Sequence, residues 1–141
     1  MKKLCFVVFS LLFIVACATT PQPTREQILA ADCGPVPSNY KEAIKNIVGT
    51  RLFDPDSAVY TFTKPEKAWN SFAGESLYGW RVCGTVNANN GFGVYVGEKP
   101  FYALIRDNKV VTFIHKGFAI PGSFKLWLLS DYPGFYDSLC K

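Results

Sequence analysis

The residues of this chain that could carry out chemistry are its five cysteines and its single histidine, His115. An Asp32-Cys33 pair stands just before an expected helix, so a cysteine nucleophile served by His115 as a base is one arrangement to consider. Pro35 and Pro37 separate Cys33 from that helix, however, so no helix N-terminus would lower the pKa of the thiol. No third group that would orient the histidine is evident, and the sequence therefore predicts no catalytic residues.

The types and spacing of the residues also give little support to a metal or cofactor site. A structural zinc site needs four nitrogen or sulfur ligands at short spacing, whereas the chain offers one histidine and scattered cysteines. Three glutamates, Glu66, Glu75 and Glu98, fall in expected turns and form no readable pair. We therefore predict neither a metal nor a cofactor. Without Lys2 and Lys3, which we expect to be removed with a signal peptide, the chain would hold 13 basic and 11 acidic side chains; this net charge of about +2 is too balanced for a nucleic-acid partner.

The start of the chain has the features of an export signal. Lys2 and Lys3 precede an apolar run over residues 4–16 that only Ser10 interrupts. As a helix this run would reach about 20 Å, which is short of the roughly 30 Å hydrocarbon core of a bilayer. We expect residues 1–16 to be a cleaved signal peptide and not a permanent membrane span.

The end of this run, Ile14-Val15-Ala16-Cys17, resembles the lipobox of bacterial lipoproteins. The resemblance implies cleavage after Ala16, a diacylglycerol thioether on Cys17 and usually a further acyl chain, such as palmitate, on its amine. Two or more chains hold a protein on a membrane, whereas one binds only reversibly. Ala18 stands where an Asp would commonly retain such a protein in the inner membrane, so the resemblance implies an outer-membrane lipoprotein with its domain in the periplasm. The inner membrane and the cell surface are the alternatives.

Export makes a disulfide plausible among the three other cysteines of the mature chain. Three cysteines allow one bridge and leave one thiol. A Cys33–Cys83 bridge is favoured, because it would tie the start of the first domain helix to a strand. A Cys33–Cys140 bridge, which would join the two ends of the domain, is the alternative.

We divide the chain into a signal peptide (residues 1–16), a lipidated tether (17–31) and a single domain (32–141). The tether carries three threonines and two prolines, which is typical of extended, poorly packed chain. Its end, residues 25–30, could add a helical turn capped by Thr24. The domain is expected to be α+β, an antiparallel β-meander of four to five strands with one helix packed on a face.

The helix is predicted over residues 40–50, because Ile44 and Val48 recur at helical spacing after a cap at Ser38 or Asn39. Alternation or apolar runs predict strands over residues 58–63, 79–86, 101–106 and 109–115. Asn90-Gly91 favours a hairpin whose returning strand holds Phe92, Val94 and Val96. Residues 64–75 are interpreted as a loop or a long hairpin connection. The spacing of Phe124, Trp127 and Leu128 favours a short helix in the C-terminal tail.

The segment from Trp80 to Gly97, together with Asp54-Pro55-Asp56-Ser57-Ala58, resembles segments of small exported proteins of proteobacteria that have no settled activity. The likeness would cover roughly residues 33–111 and bears on fold alone.

The sequence therefore predicts a lipid-anchored envelope protein with a structural or binding role. Trp69, Phe72 and Tyr78, near Trp80 and a glycine-containing loop, form a candidate surface for an envelope protein or a cell-wall component. The alternative is a cell-wall hydrolase, because envelope lipoproteins of the peptidoglycan-cleaving NlpC/P60 type place an Asp-Cys pair at a helix start and a histidine downstream. Cys33 and His115 would then be the catalytic pair.

Overall fold

The structure, a computed structural model, describes residues 21–72, 75–115, 118–120 and 134–141, with the side chains of residues 72 and 118–120 left undescribed. Three α-helices, one 3₁₀ turn and six strands lie in these ranges. They are α1 (Arg25–Ala30), α2 (Tyr40–Gly49), the 3₁₀ turn Pro55–Ser57, β1 (Val59–Phe62), β2 (Glu66–Phe72), β3 (Glu75–Asn87), β4 (Lys99–Arg106), β5 (Lys109–His115), β6 (Phe118–Ile120) and α3 (Phe135–Leu139).

The six strands form one antiparallel sheet arranged in five rows. β3 is the longest strand, with 13 residues, and β1 and β2 follow one another along its outer side. β4, β5 and β6 continue the sheet as a meander on the other side. The domain is therefore α+β with a meander-like sheet, as the sequence predicts.

One face of the sheet is covered by α2. Ile44 and Val48 are buried on this helix and pack on buried side chains of three strands, Val82, Val86, Phe101, Ala103, Ile105 and Phe113. The helix begins at Tyr40 and ends one residue before the predicted limit, so the periodicity located it correctly. Asn39 is its N-cap, one of the two predicted positions, but its side chain makes no capping hydrogen bond.

The other face carries a smaller cluster beneath α3. Ala68, Cys83, Tyr102, Leu104 and Ile114 are buried there, and Phe135, Tyr136, Leu139 and Cys140 pack against them. Arg81 fixes the end of this segment, because its guanidinium donates to the carbonyls of Leu139 at 3.0 Å and Lys141 at 2.8 Å. The same side chain pairs with Glu66 at 2.8 Å.

The disulfide joins Cys83 to Cys140 and leaves Cys33 as a buried free thiol. Both predicted pairings, Cys33–Cys83 and Cys33–Cys140, are therefore wrong. The reason is the alternation of side chains along β3: Val82 points into the α2 face, whereas Cys83 points into the opposite face, where α3 brings Cys140. Trp80 lies on the same face as Val82 and donates to the Gly34 carbonyl at 3.1 Å, which places Cys33 across the sheet from Cys83.

The chain before α2 is attached to the sheet by side chains that reach its carbonyl groups. Thr24 caps α1 through a complete capping box with Gln27, which confirms the predicted helical turn over residues 25–30. Lys67 of β2 donates to the carbonyls of Leu29 at 2.8 Å and Ala31 at 2.9 Å. This end of the expected tether therefore lies against β2.

Local patterns located most of the sheet correctly. β1, β4 and β5 match the predicted strands, β3 extends the predicted one at both ends, and the predicted turn between β4 and β5 has positive φ at Asp107 and Asn108. Two assignments were wrong. Residues 66–72 form a strand instead of a loop, and the returning strand expected at Phe92, Val94 and Val96 is reduced to an isolated antiparallel bridge between Asn89 and Tyr95. The short helix predicted around Phe124, Trp127 and Leu128 lies outside the described residues.

Candidate functional site

The structure does not bring Cys33 and His115 together. Cys33 is held beside the turn that joins β4 to β5, because Arg106 donates to the carbonyl of the preceding Asp32 at 2.8 Å. His115 is the last residue of β5 and stands opposite Phe101, at the far end of β4. Phe101 and Arg106 are five residues apart along β4, which corresponds to about 17 Å.

The Cys33 thiol is also a poor nucleophile. Its residue is only 2% exposed, and burial raises the pKa of the thiol, an effect that nearby Lys67 and Arg106 only partly offset. A thiol with a raised pKa holds little thiolate at neutral pH. The geometry and the chemistry of this residue therefore both fit a core position.

Metal-binding groups do not cluster in the described part of the chain, where no three His, Cys, Asp or Glu side chains lie close enough to hold an ion. Within the same ranges, every helix is too short or too polar to cross a bilayer.

The aromatic surface predicted at Trp69, Phe72 and Tyr78 falls on the hairpin formed by β2 and β3. Trp69 and Tyr78 stand directly opposite one another in register. Each is half-buried, and Trp69 lines a groove of about 1090 Å³ between α1, β2 and α3. The side chain of Phe72 lies outside the described residues. The structure thus brings two of the three together, and their role in binding a partner stays a prediction.

A more exposed apolar surface lies on the loop between β3 and β4, residues 88–98. Its core is a turn in which Gly93 N–H donates to the Asn90 carbonyl at 3.0 Å. The Asn90 side-chain oxygen accepts from the backbone of Phe92 at 2.9 Å and of Val94 at 3.1 Å. Asn87 accepts from Gly97 N–H at 3.0 Å and so closes the base of the loop. Two backbone bonds, from Asn90 N–H to the Val94 carbonyl at 2.9 Å and from Val96 N–H to the Ala88 carbonyl at 3.3 Å, form an isolated antiparallel bridge, and the asparagine side chains add to it.

The conformation of this loop leaves several apolar side chains exposed to solvent. Phe92 is 92% exposed and Phe53, whose ring lies against Gly91, is 79% exposed. Tyr95 is half exposed, and its hydroxyl donates to the Ser57 carbonyl at 3.1 Å. We call this set the apolar loop surface; its members are Phe53, Phe92, Val94, Tyr95 and Val96.

The size of this surface sets it apart from scattered exposed apolar residues. A buried aromatic side chain covers about 150–250 Å², so the three aromatic members alone present on the order of 400 Å² at their observed exposures. The largest apolar patch on a typical monomer is about 300–600 Å² and is often functional. The valines add to the exposed apolar area of this loop.

Sequence reasoning missed this surface because it assigned Phe92, Val94 and Val96 to a half-buried strand. A signal against that assignment was present in Tyr95, which makes residues 94–96 apolar on both sides of the expected strand. The three glycines at positions 91, 93 and 97 are a second signal, because glycine weakens a strand interior.

A scan against protein-family models, a search of curated proteins and a search of solved structures found no match to this chain.

Proposed function

We propose that this protein is a lipid-anchored component of the bacterial cell envelope that binds another envelope protein through the apolar loop surface. The observation that carries the binding role is the exposure of Phe92 on a loop that side-chain hydrogen bonds hold in shape. Ordering a loop costs conformational entropy, and here the order serves to present apolar groups to water, which is unfavourable unless a partner covers them.

The anchor is supported by the lipobox at Ile14–Cys17, and the start of α1 limits how far a lipid on Cys17 could lie from the domain. Arg25, the first residue of α1, is eight positions after Cys17, so the lipid would lie at most about 28 Å from that helix. Lys67 holds the end of α1 against β2. The domain would thus stay close to the membrane surface.

The apolar loop surface lies beyond the Asn87 end of β3, whereas α1 is attached near the middle of that strand, through Lys67, which pairs with Trp80. The seven residues from Trp80 to Asn87 span about 23 Å. This separation would keep the apolar loop surface away from the attachment of α1.

A protein partner fits this surface better than a lipid surface does. Interfacial segments that bind anionic bilayers combine apolar residues with Lys and Arg. The loop has no basic residue from Asn87 to Gly97, and its next residue is the acidic Glu98. Aromatic residues with few charges are instead typical of the core of a protein interface.

Site-specific photo-crosslinking in cells tests this proposal. A photoreactive phenylalanine analogue at position 92 should give one discrete protein adduct in the membrane fraction. Val94→Asp in the same chain should remove the adduct, because a charge at the centre of an apolar interface is costly. Cys17→Ser should lower the yield by releasing the protein from the membrane.

The same photoreactive group at position 109 is the matched control. Lys109 is exposed at the start of β5, away from the loop, and should give no adduct. The proposal is contradicted if positions 92 and 109 crosslink alike, if only lipid is captured at position 92, or if Val94→Asp leaves the adduct unchanged.

A further inference from the structure

β1 is an edge strand whose outer side has no strand partner among the described residues. It pairs with β3 on its inner side only. β2, which continues the same row, lies beside α1, and Thr63, Lys64 and Pro65 separate the two strands. A charged residue, a proline or a covering helix normally protects such an edge. The sequence of β1, Val-Tyr-Thr-Phe, is uncharged and strongly strand-forming, so this part of the row is left open.

Helix α2 runs alongside this open strand and places two lysines over it. Lys45 Nζ lies 5.8 Å from the ring centre of Tyr60, and Lys41 Nζ lies 5.9 Å from that of Phe62. The order of the contacts shows that α2 is antiparallel to β1. Both lysines are exposed, and no ion-pair partner is found for either in the described ranges.

The spacing of the two lysines matches the repeat of a β-strand. Four residues of helix rise about 6 Å, and two residues of strand rise about 6.6 Å. The distance between Lys41 and Lys45 along α2 therefore matches the distance between every second residue of β1. It also matches that interval in any strand added beside β1. An added strand would direct alternate side chains toward this face, at the interval of the two ammonium groups.

We propose that β1 accepts an extended acidic peptide of a partner protein as an added strand, with acidic side chains two residues apart paired with Lys41 and Lys45. Backbone hydrogen bonds to the β1 edge would supply affinity that is independent of sequence, and the lysines would supply selectivity. The recognised pattern is an acid, any residue, then an acid. It is the same for both strand directions.

A groove at one end of β1 limits how far the acidic pattern can extend. This groove of about 560 Å³ lies between α2 and the 3₁₀ turn, and Asp56 stands opposite Lys45 and Asn46 in its wall. A carboxylate that continued past Lys45 would meet Asp56, and like charges repel. We expect a polar or basic residue at that end of the peptide.

Charge also argues against a second copy of this chain as the occupant. Two β1 strands paired about a two-fold axis would bring both lysine pairs to one face with no acid between them. Like charges opposed across strands are destabilising. An acidic segment, in contrast, neutralises the pair.

The direct test is a titration of the detergent-solubilised full-length protein with a capped peptide of threonine and valine that carries two glutamates two residues apart. Saturable binding is expected. Replacing both glutamates with glutamine should weaken binding at least tenfold. Methylating alternate backbone nitrogens, so that one edge of the peptide can no longer donate, should weaken it as much, because strand addition needs those groups.

A charge-swap pair of variants makes the test independent of folding. Lys41→Glu combined with Lys45→Glu should weaken binding of the glutamate peptide at least tenfold and should bind a peptide with two lysines in its place. Lys109→Glu, the same substitution at a single exposed site on another strand, is the control and should leave both affinities unchanged. Val94→Asp should also have no effect, which separates this surface from the apolar loop surface.

The proposal is overturned if no peptide saturates, if glutamate and glutamine peptides bind alike, or if the methylated peptide binds as well as its parent. Failure of the lysine peptide to bind the charge-swapped protein also overturns it. So does self-association through β1, detected by sedimentation as a dimer that the charge swap leaves intact.

Discussion

The Cys83–Cys140 disulfide should contribute a large share of the stability of this domain. The bridged cysteines are 57 residues apart, and the chain-entropy relation for a loop of that length gives about 4 kcal/mol. A domain of this kind has a total free energy of unfolding of about 5–15 kcal/mol. Loss of the bridge also frees the segment whose carbonyls accept from Arg81.

Cys140→Ser removes the bridge and leaves the core residue Cys83 in place. Denaturant unfolding should show a free energy of unfolding lower by about 4 kcal/mol than that of the oxidised wild type. A reducing agent should lower the wild-type stability by a similar amount and should leave the variant unchanged. The matched control is Cys33→Ala, which removes a buried sulfur that is not bridged; it should cost about 1 kcal/mol and keep the sensitivity to reductant.

Two results would refute this reasoning. If Cys140→Ser unfolds at the wild-type denaturant concentration, the bridge does not hold the C-terminal segment. If the Cys33 variant is the one that loses its response to the reducing agent, the disulfide includes Cys33, and the placement of that residue across the sheet from Cys83 is wrong.

Two further predictions concern the strands of the central sheet. Gly84→Ala should lower the free energy of unfolding by about 1–3 kcal/mol, because a methyl group there would overlap the Thr61 carbonyl oxygen and the Phe101 ring. Thermal unfolding checks this, with Gly49→Ala as the control, because that helix position has room for the methyl group. Equal stability of the two variants would contradict the prediction. Burial raises the pKa of Tyr102 to about 12 from about 10 in an unfolded chain, so the unfolded state ionises first and stability should fall by about 2 kcal/mol as the pH rises from 10 to 12. Tyr102→Phe should reduce that loss in denaturant melts at pH 9 and 11.5, and an equal loss in both proteins would show that this tyrosine is not the cause.

The elements that the sequence predicted correctly are those whose side chains alternate between one buried and one solvated environment, or are buried throughout. Ile44 and Val48 define the buried stripe of α2. β4 is buried on both faces from Phe101 to Ile105, and its continuous apolar run indicated a central strand. In these elements the local pattern of apolar residues matches the burial in the folded domain, so the pattern alone was sufficient to identify the helix or strand.

β2 could not be recognised in the same way. Its residues Glu66, Lys67 and Asn70 are polar, and Pro65 stands just before it. The strand forms because β3 is long enough to pair with both β1 and β2. That length depends on partners distant in sequence, which a local pattern does not contain.

The predictions of the returning strand and of the cysteine pairing were wrong for a related reason. Asn90-Gly91 does make a tight turn, but β3 pairs with β4 only from Lys99 onward. The turn therefore lies in the loop between these two strands and does not join paired strands of the sheet. The cysteine pairing depended on the face of β3 from which Cys83 projects. Register decides that, and the sequence alone does not reveal the position of α3.

The central claim, that the mature protein is an exported, lipid-anchored and oxidised chain, can be tested by one intact-mass measurement on protein extracted from membranes without reduction. The account predicts a chain that begins at Cys17, carries acyl groups, has two hydrogens fewer than the fully reduced form and exposes a single alkylatable thiol after unfolding, that of Cys33. A mass that retains residues 1–16, or that shows Cys17 without acyl groups, would contradict it.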